Sequence, residues 1–88
     1  MEALKPEETC LVGMWLDLGS KVTGDAVSDR IEWLTANRLE HVAAAKSGEE
    51  LWRDPSDGRL WEQSRAFPGA PPSLRVLTPE EAQEKYGL

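Results

Sequence analysis

The chain contains one histidine, His41, and one thiol, Cys10, and these two counts limit the chemistry open to it. A two-histidine metal site is excluded, and zinc would have to take most of its ligands from carboxylates, which is unusual. A serine or cysteine nucleophile would need His41 as its base. Nothing flanking Ser47, Ser56 or Ser64 resembles the strand-to-helix elbow that such a nucleophile occupies. Three pairs of acids are adjacent in sequence: Glu7–Glu8, Glu49–Glu50 and Glu80–Glu81. Neighbours on a strand point to opposite faces, so the middle pair cannot form a catalytic dyad. The other two fall in a lead-in and at a helix start. "GAPP" (residues 69–72) lacks the spacing and the lysine of a phosphate-binding loop. The expectation is a non-enzyme with no metal, no cofactor and no catalytic residue. His41 is expected on a partly buried sheet face, and Cys10 as a small core residue.

Chemistry of recognition is better represented. "LWRDPSDGRLWEQ" (Leu51–Gln63) places two tryptophans around a turn signal. Pro55 has the pre-set φ suited to the first position of a four-residue hairpin loop, and Gly58 suits its left-handed last position. With Pro55–Gly58 as the loop, Asp54 falls opposite Arg59, Trp52 opposite Trp61 and Glu50 opposite Gln63. Leu51, Arg53, Leu60 and Glu62 take the other face. An opposed aromatic pair adds about 0.2–1 kcal/mol to a sheet. Tryptophan is also favoured at binding hot spots. Trp61 is expected mainly in the core and Trp52 more exposed, among acids. The candidate partner-binding residues are Glu50, Trp52, Asp54, Asp57, Arg59, Glu62 and Trp33.

These side chains need a frame. "TCLVGMWLDL" (Thr9–Leu18) reads as one strand with much of both faces covered, including a buried Trp15; Gly13 marks a bulge or close approach. "GSK" (residues 19–21) is a turn, with a return through Val22. "DAVSDRIEWLTAN" (Asp25–Asn37) is the clearest helix: Val27, Ile31 and Leu34 form the apolar stripe, and Ser28, Glu32 and Thr35 lie opposite. Thr23 or Asp25 caps its start. Trp33 sits at the border of the stripe, where Arg30 can stack on it, a contact worth about 0.5–1 kcal/mol if exposed. "RLEHVAAA" (Arg38–Ala45) alternates with period two and reads as a strand. "SLRVL" (Ser73–Leu77) is the last strand. "TPEE" then starts a short helix with Thr78 as N-cap, Pro79 at the first position and Glu81 closing a capping box. Gly87 ends it.

With 88 residues, the whole chain is expected to be a single domain, with about four to five antiparallel strands packed by one main helix and a short C-terminal helix. The class is α+β. Apolar residues make up 40% and charged residues 30%, which fits a folded chain rather than a disordered one. Sixteen acids against ten bases give a net charge of −6, which repels nucleic acid and attracts a basic partner. The first residues, "MEALKPEETC", carry neither a basic nor an apolar leader region, and no apolar run approaches the ~18–20 residues that span a bilayer. With one cysteine this fits a reducing cytoplasm and no membrane role.

Read together, "LKPEET", "LVG-W", "RIEWL", "DPSDGRLWE", and "PPSL" followed by "EEA-KYG" resemble the bacterial immunity protein 27 family of polymorphic toxin systems. The resemblance runs from about Leu4 to Gly87, and "RIEWL" (Arg30–Leu34) and "DPSDGRLWE" (Asp54–Glu62) are its most specific parts. The loop between Trp61 and Pro71 is more compact here than in the family pattern. What the resemblance implies is a non-enzymatic protein that binds a cognate toxin domain and neutralises it by covering its active or substrate-binding site. It supplies no catalytic residues and no family-wide binding motif. A basic nuclease is the favoured toxin, because an acidic inhibitor can compete for a polyanion groove. Two rivals share parts of this pattern: a generic acidic interaction module with no toxin partner, and a small enzyme or ligand-binding domain. A pull-down separates the first from immunity, and the second needs a pocket.

Overall fold

The computed structural model describes residues 2–17, 19 and 22–87. The elements run in order β1 (Cys10–Val12), β2 (Trp15–Asp17), β3 (Val22–Gly24), α1 (Ala26–Asn37) and β4 (Glu40–Ala44). β5 (Glu50–Arg53), β6 (Leu60–Ser64), β7 (Ser73–Leu77) and α2 (Pro79–Tyr86) follow. Among the described residues, five strands form an antiparallel sheet in the order β1-β7-β6-β5-β4, while β2 and β3 form a separate hairpin. The domain is α+β.

The tryptophan hairpin has the register its turn residues predict. Trp52 faces Trp61, Glu50 faces Gln63, and Gly58 takes the left-handed φ of 77°. Alternation along the strands then sends the two faces of the sheet to different helices. On one side Ile31 and Leu34 of α1 close over Leu11, Leu39, Trp61 and Leu74, with Leu4 from the lead-in completing the cluster. On the other side Ala82 and Tyr86 of α2 cover Leu51, Leu60 and Leu77. α2 is short for an autonomous helix, and its ends are fully capped: Thr78 and Glu81 form the reciprocal box, and Gly87 supplies the left-handed stop.

Several expectations change. The apolar run at residues 9–18 is two strands, not one, because Gly13 lies against Ser28 and the Pro72 carbonyl and donates its N–H to that carbonyl at 2.9 Å. A Cβ on Gly13 would stand 2.6 Å from the Pro72 oxygen. Ser28, expected outward, is therefore buried: it faces the break and donates to the Met14 carbonyl at 3.4 Å. Cys10 is exposed rather than core, since Leu11 takes the buried face of β1 and α2 packs farther along the sheet. Trp15 is 40% exposed; its Nε1 donates to the Gly69 carbonyl at 2.8 Å, so the ring lies along the 66–70 loop instead of inside the sheet. His41 is also exposed, because β4 is an edge strand. Leu18, Ser20 and Lys21, the expected strand end and turn, lie outside the described residues.

Arg30 does not stack on Trp33. Its guanidinium forms two 2.7 Å contacts with the Glu8 carboxylate and donates to the carbonyls of Glu2 and Ala3. Arg59 takes the carbonyls of Lys5 and Glu8, at 2.9 and 2.7 Å. The acidic lead-in is thus a strap, tied by one arginine from α1 and one from the hairpin, with Leu4 buried beneath it.

Candidate functional site

α1 crosses the β1–β7–β6 half of the sheet and leaves the outer half of the same face open. His41, Glu50, Trp52 and Gln63 share that area, and the Glu50–Gln63 and His41–Trp52 register pairs join the three strands that carry them. Trp52 is half-buried: one edge packs on the core cluster that includes Trp61, and its Nε1 donates to Gln63 Oε1 at 3.1 Å. The His41 ring meets it edge-on, with centroids 5.0 Å apart and planes at 79°. His41 Nε2 lies 3.4 Å from Glu50 Oε1, and both side chains are close to half exposed. Trp33, at the helix margin, packs half-buried against the same cluster. The result is a rigid aromatic floor with a carboxylate at its rim, an arrangement suited to binding a cationic or amphipathic protein surface.

The remaining candidates separate from this floor. Asp54 is buried; its Oδ1 accepts from the backbone N–H and the hydroxyl of Ser56, at 2.9 and 2.7 Å, so its carboxylate holds the loop rather than Arg59. Arg59 pairs instead with Asp57 at 2.7 Å and lies 5.0 Å over the Trp61 ring. Hydrogen bonding from the Arg59 backbone N–H, then from its side chain, lowers the Asp57 pKa. Asp57 remains at the exposed tip of the hairpin. Glu62 is on the opposite face of the sheet, 5% exposed. Burial disfavours its charge, but Lys85 Nζ and the Tyr86 hydroxyl, each at 2.8 Å, outweigh it and lower its pKa. The same burial, followed by the Glu62 contact, raises the pKa of the Tyr86 hydroxyl.

The open floor therefore joins Glu50 and Trp52, while Trp33 packs on the same core cluster from α1. Asp57 and Arg59 stand together at the hairpin tip, and Asp54 and Glu62 are taken up by internal contacts. Sequence reasoning did not include His41 or Gln63 in the surface. The opposition of Gln63 to Glu50 was the signal for one; His41 depended on which strand forms the edge. Among the described residues no cluster of three or more His, Cys, Asp or Glu side chains is arranged to hold a metal ion. No helix among them is long and apolar enough to cross a membrane.

A family model described as immunity protein 27 matches residues 17–78, more than two thirds of the chain. The chain belongs to the immunity protein 27 family. No curated protein and no solved structure matches it. The stretch shared with the immunity protein 27 model holds α1 and β4 to β7, hence the whole tryptophan floor and the hairpin tip. The strap at residues 2–8 and helix α2 flank it.

Proposed function

We propose that this chain is an immunity protein that binds a cognate toxin domain in the cytoplasm and neutralises it by covering its active or substrate-binding site. Membership of the immunity protein 27 family supports the role. The observation that carries the choice of surface is the partly buried Trp52, set with Glu50 on the part of the sheet that α1 leaves open. Trp52 and Trp33 supply apolar area at small rotamer cost, while Glu50 and Asp57 supply charge for steering. Asp54, Arg59 and Glu62 contribute by holding the hairpin in shape. The partner is a basic domain, and a nuclease fits best because its substrate groove is lined with cations that an acidic surface can occupy. No catalytic step belongs to the chain itself.

Growth protection tests this. The toxin domain encoded beside the chain is expressed with and without it, and growth is followed. Rescue with a one-to-one complex is the expected result. Failure to rescue, with the chain folded and abundant, removes the immunity role and leaves a generic acidic interaction module.

A further inference from the structure

A cleft of about 340 Å³ opens beside the tryptophan floor, where β5 and β6 diverge between the 45–49 turn and the 65–69 loop. Glu49, Glu50, Gln63, Phe67 and Pro68 are among its lining residues, so Glu50 and Gln63 belong to both the floor and the cleft. We propose that this cleft is the socket for a single arginine or lysine side chain of the toxin, held between the Phe67 ring and the Glu50 carboxylate.

The charges in the cleft favour a cation. Two acids, Glu49 and Glu50, and one basic residue, Arg65, are among its lining residues, and the Arg65 guanidinium is committed to the Ala70 carbonyl. Glu49 is committed as well, to the Ser47 hydroxyl and to Lys85 Nζ at 3.3 Å. Glu50 is therefore the acid available to an incoming group: among the described residues its partner is His41 Nε2 at 3.4 Å, and its side chain is 45% exposed. Phe67 is 62% exposed, among the most exposed large apolar side chains described. An aromatic face beside an accessible carboxylate holds a guanidinium or ammonium through cation–π attraction and a charge-assisted hydrogen bond together. Among the chain's own cations, Arg30, Arg53, Arg59, Arg75 and Lys85 each pair with an internal acid. A second copy would bring another net charge of −6 to the same surface.

The occupant rests on the immunity reading, and calorimetric titration against the toxin domain encoded next door separates the two. Phe67→Ala and Glu50→Gln are each expected to weaken binding by about tenfold or more, while Glu84→Gln on the exposed face of α2 leaves it unchanged. Melting temperatures equal to the parent's confirm that both variants fold. Alanine replacement of surface Arg and Lys residues on the toxin should then find one whose loss is not additive with Glu50→Gln. A parent that binds tightly while both variants bind equally well overturns the socket and leaves the immunity reading standing. A parent that does not bind overturns both. A dimer of the free chain that Phe67→Ala converts to monomer in sedimentation assigns the cleft to self-association, and also overturns the proposal.

Discussion

Glu8 and Arg30 show how much one pair of residues can decide. The two guanidinium contacts from Arg30 are the main cause that holds the Glu8 carboxyl at about 2, well below the usual 4.5. A pKa depressed on folding means that the folded state binds the proton less well than the unfolded one. The resulting stability is fully present above pH 4.5 and is lost as the pH falls from there towards 2. Urea midpoints measured at pH 6, 4 and 3 should therefore fall less steeply in Glu8→Gln than in the parent; identical slopes would show that the pair does not couple to folding. Arg30→Ala removes the pair together with two carbonyl contacts, and a loss of about 2–3 kcal/mol is expected from the same urea titration at pH 7. Nothing in "KPEET" or "RIEWL" alone announces this pairing. The two segments are more than twenty residues apart, and only the path of the strap beside α1 brings them together.

At the scale of elements, local chemistry predicts well wherever the partners are neighbours in sequence. The capping box of α2 and the Pro55–Gly58 loop both close over three or four residues, and both are as their residue types require. Thr78→Ala should cost about 1 kcal/mol in thermal or urea unfolding and raise amide exchange in α2 ahead of the rest of the chain. The break between β1 and β2 is the opposite case. Gly13 is needed there because α1 and the 69–72 loop both press on it, and neither is near it in sequence. Gly13→Ala must displace the Pro72 backbone or Ser28, and a destabilisation of about 1–3 kcal/mol is expected in the same unfolding assay. A substitution without cost would mean that the strands do not approach so closely.

For the molecule as a whole, the net charge of −6 acts on the rate of encounter more than on the fold. Only acids that remain accessible can be varied to test this. Glu50→Lys and Asp57→Lys should slow association with the toxin and flatten its dependence on salt, as read by stopped-flow mixing at low and high ionic strength. Unchanged rates would take the floor and hairpin tip out of the interface. Reversal at Asp54 or Glu62 would read out something else: both are buried, so a lysine there takes the carboxylate from Ser56 or from the Tyr86 hydroxyl and acts through stability.

The sequence by itself determined the class, the order of elements from α1 onward, the hairpin register and the caps of α2, because each follows from residues within one turn or one strand pair of each other. It also carried the motifs that mark the immunity protein 27 family. Tertiary structure alone decided which residues of those elements are available. The sheet has two helices to satisfy, and α1 covers only the β1–β7–β6 half of its face; Trp61 is sealed and Trp52 only partly buried, while Cys10 and Trp15, both in an apolar run, meet solvent. Burial depends on what crosses above a strand, and no pattern within the strand records that.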